Sequence, residues 1–272
     1  MRRFGNFGIV TICLLLHLVL PATKVNACPI LQLYVEGATY NSITESWTLD
    51  AYPSNSGEVN FRLWVIGNPN PRGRLYDVRL SVAYPAWLRS GSSDLQFSFV
   101  PSTTGGLGGF YDPSTPSVPL GPNFGLEGTS PTIVDSSTLP WHGVYGPGVV
   151  WQEFRLGDFY LKDSPLGDFY QVFPQPTNKW GQINVYDVSV RHMAGISLVG
   201  TTLHFDAYGY VKRGKRNFPV FAPFSHDADV HVVPNPPTLA LLCSLLVSGG
   251  GWLAFRRVSF RLKSLRRATE TT

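Results

Sequence analysis

The sequence predicts an all-β protein, a β-sandwich of jelly-roll or Greek-key type, followed by one C-terminal transmembrane helix. Short runs of alternating apolar and polar residues recur along the chain, which is the period of a half-buried strand. The 27 glycines and 22 prolines among 272 residues fall largely between those runs, where they favour turns. Before residue 238, no segment keeps apolar residues at helical spacing over three turns. Short strands joined by turns are typical of a sandwich.

Eleven segments carry the alternation and are predicted strands. In segment 59–65 the odd positions are all apolar and the even positions are mixed, so one face would be buried. These strands define one exported domain, residues 28–232. The predicted strands are 31–35, 47–51, 59–65, 75–83, 95–100, 149–156, 159–161, 169–173, 183–190, 202–211 and 230–233.

Segment 101–148 lacks sustained periodicity and interrupts the series of strands. It is either an ordered excursion or a flexible surface flap, and we favour the first. Its expected anchors are Phe110, Tyr111, Phe124 and Trp141.

A short repeat follows the excursion. The sequence Leu-Gly-Asp-Phe-Tyr occurs at 156–160 and again at 166–170. Turn residues separate the two copies, so they predict the two strands of a hairpin.

The first 27 residues have the features of a secretory signal peptide. Arg2 and Arg3 give a positive start, and residues 8–20 form an apolar stretch too short for a comfortable membrane span. Small residues precede the bond between Ala27 and Cys28, so we expect signal peptidase to cleave there after passage through the Sec translocon. Cys28 also permits a lipoprotein interpretation, but the polar residues before it do not suit a lipobox.

The other terminus predicts a membrane signal. Val233, Pro234, Asn235 and Pro236 precede the uncharged segment 238–255, and a cluster of arginines and lysines follows it. The segment of 18 residues is just long enough to cross a hydrocarbon layer of ~30 Å. The basic cluster would hold the C-terminus in the cytoplasm.

This order of motif, span and basic tail in residues 233–272 resembles the PEP-CTERM sorting signal of Gram-negative bacteria. In that signal V-P-x-P precedes the span, and a membrane-embedded exosortase cuts near the motif. The resemblance implies an exosortase-type enzyme as a partner. Asn235 stands where the family usually has Glu, so anchoring is a safer expectation than cleavage.

The charge of the domain gives no support to nucleic-acid binding, and its lack of cysteine limits the sulfur chemistry that it can contain. Residues 28–255 contain 13 Lys and Arg against 17 Asp and Glu, so the net charge of +4 comes from the two tails. A mildly acidic domain does not indicate nucleic-acid binding. Residues 29–242 contain no cysteine, which excludes an internal disulfide or a thiolate metal site there.

Three residues near the end of the domain are weak metal-ligand candidates. Strand alternation would place Asp227, Asp229 and His231 on one face, where they could contribute to a Ca²⁺ or Zn²⁺ site. Alternate residues of a strand are ~7 Å apart and need ligands from elsewhere to close a site. We therefore favour a turn at Asp227 and a juxtamembrane stem at His231, and we predict no metal or other cofactor. We interpret His142 and His204 as structural residues.

Signals of an enzyme are weak. There is no G-x-S-x-G motif, no domain cysteine that could act as a nucleophile, and no glycine-rich phosphate loop before a helix. A glycoside hydrolase would need two facing carboxylates, which the sequence alone cannot pair. The prediction is a protein that is not an enzyme.

Tryptophans suggest a different activity. Trp87, Trp141, Trp151 and Trp180 lie at predicted turns or strand edges, where a flat ring could stack on a sugar. Core packing is the more common use of such rings. They remain candidates for glycan stacking.

Three segments resemble the bacterial surface proteins called choice-of-anchor N. Residues 31–40 with 44–52 are similar to the family's opening "L-x-L-x-I-x-G-G-x-Y … T-E-T … L-x-A-Y". Residues 221–228 are similar to its closing F-A-P-F-S-H-D-A, and 139–143 to its L-P-x-H-G. The resemblance implies an exported surface domain of unknown biochemical activity.

These observations predict an exported bacterial surface protein, anchored in the membrane through 238–255 or processed by an exosortase. Its expected role is structural or adhesive, in the envelope or in the extracellular polysaccharide. The alternative is a carbohydrate-binding module that uses exposed aromatic rings, and the third option is a glycoside hydrolase.

Overall fold

The computed structural model describes residues 30–41, 43, 46–69, 72–89, 94–102, 123–160, 164–166 and 179–236. The predicted signal peptide, the cleavage site at Ala27 and Cys28, and the predicted span 238–255 lie outside these residues. Within the described part, no helix has the length and apolar character needed to cross a membrane.

The described chain is built from strands, which confirms the all-β prediction. Two 3₁₀ turns, Ala86–Leu88 and Phe224–His226, lie between the strands. The strands are β1 Leu31–Val35, β2 Thr39–Asn41, β3 Ser46–Ala51, β4 Val59–Gly67, β5 Arg74–Pro85, β6 Leu95–Pro101, β7 Asn123–Gly125, β8 Thr132–Val134, β9 Ser137–Thr138, β10 Val149–Tyr160, β11 Ser164–Leu166, β12 Lys179–His192, β13 Thr202–Arg213, β14 Arg216–Phe221 and β15 Asp227–Val232.

The strands form two large sheets and one small ribbon. The five-stranded sheet has the order β1-β4-β12-β11, with β6 also paired to β12. The eight-stranded sheet has the order β2-β3-β15-β13-β5-β10-β7, with β14 also paired to β13. Strands β8 and β9 pair with each other. All pairs are antiparallel except β15 with β3, which is parallel.

The two large sheets pack against each other through one apolar core. Phe61 of β4 meets Phe205 of β13 with ring centroids 5.6 Å apart, and Phe99 of β6 meets Phe154 of β10 at 4.6 Å. Each fully buried side chain of this kind contributes ~1.5–3 kcal/mol to folding. Because alternate residues of a strand point to opposite faces, the same strands present a second set of side chains on the outer face.

Most predicted strands lie where the alternation places them, but β2, β7, β8, β9, β11 and β14 were not predicted, and the predicted strand 169–173 lies outside the described residues. Segments 149–156 and 159–161 were expected as separate strands, but β10 continues through Gly157, where the pairing with β5 shifts register and φ is +93°. The predicted hairpin between the repeat copies is not formed by the described residues. The first copy lies in β10, whereas Leu166 ends β11, which pairs with β12; residues 167–170 lie outside the description.

The excursion is ordered over 123–148, but two of its four expected aromatic anchors, Phe124 and Trp141, are not buried. Phe124 is 46% exposed and Trp141 is 74% exposed, while Phe110 and Tyr111 lie outside the described residues. The segment is held instead by Ile133, Leu139 and Tyr145, which pack with Ala83, Trp151 and Tyr208 in a second apolar cluster on the outer face of the eight-stranded sheet.

Candidate functional site

Neighbouring strands β13 and β15 place four polar side chains on the outer face of the eight-stranded sheet. His204 and Asp206 alternate with the core residue Phe205, so both point away from the main core. The register pairs His204 with Asp229, and Asp227 is two residues earlier on β15. Three carboxylates and one imidazole therefore converge on a small area.

The segment between β9 and β10 adds a second imidazole. His142 lies above β13, and its ring stacks on Phe224 with centroids 4.4 Å apart and planes at 15°. Its Nε2 atom is 3.2 Å from Nε2 of His204, although the two residues are 62 positions apart. The packing of Ile133, Leu139 and Tyr145 holds this segment against the sheet.

Four ligand-type atoms, one from each of His142, His204, Asp206 and Asp227, lie within 4.8 Å of one another. Asp206 is at the centre, because its Oδ1 is 3.3 Å from Nε2 of His142 and its Oδ2 is 3.3 Å from Nε2 of His204. Asp227 completes the group, with Oδ2 at 4.0 Å from Nε2 of His204. Both aspartate side chains are 2% exposed. We call these four residues the His-Asp cluster.

Hydrogen bonds orient both imidazoles. Nδ1 of His204 lies 2.7 Å from Oδ1 of Asp229, whose other oxygen accepts a hydrogen bond from Ser46 Oγ at 2.8 Å. Nδ1 of His142 lies 3.0 Å from the carbonyl oxygen of Pro140. In each ring the Nε2 atom is the one that faces the cluster.

A buried tyrosine extends the network below the cluster. The Tyr145 hydroxyl donates to Oδ2 of Asp206 at 2.5 Å and also contacts Ser81 Oγ. Burial, together with the nearby charge of Asp206, raises the pKa of Tyr145 well above its usual value. Tyr145 therefore stays a hydrogen-bond donor.

The cluster separates the pKa values of its members. Burial alone would raise the pKa of Asp206, but His204 and His142 hold it well below its usual range. Burial alone would lower the pKa of His204, but Asp206 and Asp229 raise it well above its usual value. Burial, reinforced by the charge of Asp206, raises the pKa of Asp227 far above its ordinary range.

A cavity of about 500 Å³ opens beside the cluster. His142, His204, Asp227 and Asp229 contribute to its polar side. Much of the remaining wall is apolar, and it includes Ala83, Pro85, Val144, Val149 and Phe224. Buried imidazoles and carboxylates beside an apolar cavity are suited to hold a divalent metal ion or to orient a small polar ligand.

The three weak metal-ligand candidates all lie in strand β15, where a turn and a stem were favoured from the sequence. Asp227 and Asp229 lie at the site, as expected from their shared face. His231 does not, because its side chain is 43% exposed and its Nδ1 lies 3.7 Å from Oδ1 of Asp50.

Of the four glycan-stacking candidates, two are exposed and one is buried. Trp87 is 58% exposed and Trp141 is 74% exposed. Trp151 is only 6% exposed and donates its indole N–H to Thr129 O at 2.7 Å, so this ring packs in the interior, the use favoured from the sequence, and offers no stacking surface. The backbone of Trp180 lies in β12, opposite Pro165 of β11, and its side chain lies outside the description.

The sorting motif follows β15 directly. The Val233 N–H donates to Ala51 O at 2.9 Å, and Pro234 and Pro236 are exposed, with Asn235 partly buried between them.

Sequence reasoning missed His142, His204, Asp206 and Tyr145 as members of one site. The spacing His204-x-Asp206 on a predicted strand was a usable signal, since it places both side chains on one face. That strand pairs with the strand that carries Asp227 and Asp229, and segment 139–148 packs against it. Both are long-range contacts, which a local sequence pattern does not reveal.

Comparisons with known proteins give little similarity. No family model matches the chain, and no curated protein is significantly similar to it. Among solved structures, the chain resembles AvmM, described as catalysing macrocyclization in alchivemycin A biosynthesis, at 15% identity and a TM-score of 0.30. That match covers 74% of this chain and 98% of AvmM. Similarity at this level carries no argument about function.

Proposed function

We propose that this chain is an exported surface protein that is not an enzyme, with an adhesive or structural role, and that it contacts extracellular polysaccharide at the cavity beside the His-Asp cluster. The observation that carries the proposal is the position of the two tryptophans that are exposed among the described side chains. Trp87 follows the cavity residue Pro85 by two positions, and Trp141 directly precedes the cavity residue His142.

The two segments that carry these rings are joined. The Ala86 N–H donates to Gly148 O at 2.7 Å, so the 3₁₀ turn that holds Trp87 is fixed to the end of the excursion that holds Trp141. Exposed aromatic rings next to a cavity with a polar side and an apolar wall suit a sugar, which has both hydroxyl groups and apolar faces. This supports the carbohydrate-binding alternative as the mechanism of adhesion.

A glycoside hydrolase is the less favoured interpretation. Ligand oxygens of Asp206 and Asp227 lie within 4.8 Å of each other, near the ~5–5.5 Å of a retaining carboxylate pair. However, Asp206 accepts a hydrogen bond from Tyr145 and lies between two imidazoles, and it does not line the cavity. A carboxylate held in this way is poorly placed to attack or protonate a substrate.

Export and anchoring belong to the same proposal. The signal peptide and the 238–255 span would place the domain outside the cytoplasmic membrane, with an exosortase-type enzyme as processing partner. Two large sheets around one core support the β-sandwich assignment. The jelly-roll or Greek-key connectivity and the C-terminal membrane helix remain predictions.

A glycan array probed with the full chain, in a detergent without a sugar headgroup, tests the proposal. We expect binding to at least one polysaccharide class, weakened ~5–30-fold by Trp87→Ala and by Trp141→Ala, the effect of losing ~1–2 kcal/mol. Tyr52→Ala is the matched control, since Tyr52 is 50% exposed and does not line this cavity. Absence of glycan binding, or equal loss in all three variants, would contradict it.

A further inference from the structure

We propose that the His-Asp cluster is a binding site for one divalent transition-metal ion of the zinc type. His142 and His204 would bind it through Nε2, and Asp206 and Asp227 through carboxylate oxygens. This goes beyond the proposed function, because ion binding requires no polysaccharide.

The hydrogen bonds of the two rings give the first reason. A carbonyl oxygen and an ionised carboxylate can only accept hydrogen bonds, so Nδ1 carries the proton in both His142 and His204. In a neutral imidazole the other nitrogen then holds a lone pair. The two Nε2 atoms face each other across 3.2 Å, close enough to share one proton. A metal ion that replaces this proton would bind the lone pair of each ring.

The spacing of the ligand atoms gives the second reason. Zinc bonds of ~2.0–2.2 Å in a tetrahedron separate neighbouring ligand atoms by ~3.3–3.5 Å. The separations from Nε2 of His204 are 3.2 Å to His142, 3.3 Å to Asp206 and 4.0 Å to Asp227. The Asp227 oxygen lies farther out, within 4.8 Å of the other ligand atoms, and has to move inwards to complete a tetrahedron.

Asp227 itself gives the third and independent reason. Its residue exposure is 1%, and neither of its carboxylate oxygens accepts a hydrogen bond from the described residues. A buried ionised carboxylate that accepts no hydrogen bond is costly. A divalent ion would displace the proton from Asp227, supply the missing partner, and balance the charges that Asp206 and Asp227 then carry.

The surrounding contacts are those that hold metal ligands in place. Histidine ligands commonly donate their other ring N–H to a carboxylate or a backbone carbonyl, which fixes the orientation of the ring. Here Asp229 serves His204 and the Pro140 carbonyl serves His142. Tyr145 similarly fixes Asp206.

The ligand types select the ion. Imidazole suits zinc and its first-row neighbours, whereas Ca²⁺ and Mg²⁺ prefer a set of oxygen ligands alone. Four protein ligands close a tetrahedral site, as is usual for structural zinc. The ion would fasten the His142 segment to β13 and β15.

Isothermal titration of the full chain in detergent with Zn²⁺ tests the proposal, after chelator treatment and after alkylation of Cys13, Cys28 and Cys243. We expect one equivalent of Zn²⁺ to bind. Asp227→Asn and His142→Ala should each raise the Kd by more than the ~10–100-fold that loss of an outer hydrogen-bond partner causes. Co²⁺ should show the absorption bands of a tetrahedral site with nitrogen and oxygen ligands.

His231→Ala is the matched control, because His231 lies on β15 but outside the cluster. It should leave the Kd unchanged. Circular dichroism of each variant checks that the β fold persists. If His142→Ala does not fold, Asp227→Asn still tests the site, because it keeps the shape of the side chain. Lack of stoichiometric binding, or wild-type Kd values in both cluster variants, would overturn the proposal. Neither result depends on the glycan array.

Discussion

His204 and Asp229 lie directly opposite each other on adjacent antiparallel strands, and Nδ1 of one is 2.7 Å from Oδ1 of the other. Cross-strand register therefore fixes which nitrogen of His204 faces the His-Asp cluster. The pairing of β13 with β15 thus orients His204, whereas the second imidazole of the cluster, His142, comes from a segment that is distant in the sequence.

Asp229→Asn should weaken Zn²⁺ binding ~10-fold or more without abolishing it, because the amide still accepts from His204 but loses the charge that increases the basicity of the ring. Titration calorimetry measures the change. Asp50→Asn removes an exposed carboxylate at the other side of β15 and should have no effect. Identical Kd values for Asp229→Asn and wild type would show that Asp229 does not support His204.

Zn²⁺ should stabilise the protein. At a free concentration of 100 times its Kd, an ion that binds only the folded state adds ~2.7 kcal/mol, which corresponds to ~5–10 °C for a domain of this size. Thermal melts with Zn²⁺ and with chelator measure the shift. From sequence alone we expect divalent ions to add little stability, so an unchanged midpoint would favour that expectation over the metal site.

Tyr145→Phe should destabilise the domain by ~1–3 kcal/mol. The substitution removes the hydroxyl that donates to the buried Asp206 and contacts Ser81, and it leaves those polar groups short of a partner. Chemical denaturation measures the loss. Tyr52→Phe removes a hydroxyl from a side chain that is 50% exposed, and it should change stability little.

Acid should destabilise the fold in part through Asp77. Burial alone would raise its pKa, but Arg79 and Arg155 lower it below the unfolded value of 3.8. The unfolded chain therefore binds the proton first, so this contribution to stability is present above pH ~4 and is lost as pH falls through the folded pKa. Asp77→Asn should reduce the difference in unfolding free energy between pH 6 and pH 3.

Asp135→Asn is a close control for that experiment. Both aspartates have a φ of +48°, a conformation that Asn tolerates, but Asp135 is exposed. Its substitution should leave the acid dependence unchanged. Equal pH profiles in the Asp77 variant and wild type would exclude a role for the two arginines.

Asn235→Glu should increase the fraction of chains cleaved near the motif, if the processing enzyme reads a carboxylate at this position. Asn retains an acceptor oxygen but lacks the charge and one methylene of Glu. Mass spectrometry of the mature C-terminus measures the outcome in cells that carry the exosortase. Recovery of both versions with the basic tail intact would identify 238–255 as an ordinary membrane anchor.

The sequence predicted the sheets better than the site. Alternation is a local property, so segments such as 59–65 and 202–211 were placed correctly within β4 and β13. The short strands β7, β8 and β9 were missed, because two or three residues are too few to show a period.

The site depends on contacts that no local pattern encodes. Asp227 and Asp229 were recognised because they share one strand face, whereas His142 reaches His204 across 62 positions. Trp151 shows the opposite error. It was expected at an edge, but it is buried because the excursion folds back over it and supplies the Thr129 carbonyl to its indole.

The place of β15 in the sheet has a consequence for biogenesis. The last strand of the described chain is inserted between β3 and β13 and contributes Asp227 to the cluster. While a ribosome is still synthesising the preceding residues, β3 and β13 lack their shared neighbour and the eight-stranded sheet stays divided. Non-local pairings of this kind form slowly. The eight-stranded sheet and the His-Asp cluster can therefore be completed only after this final strand has been synthesised.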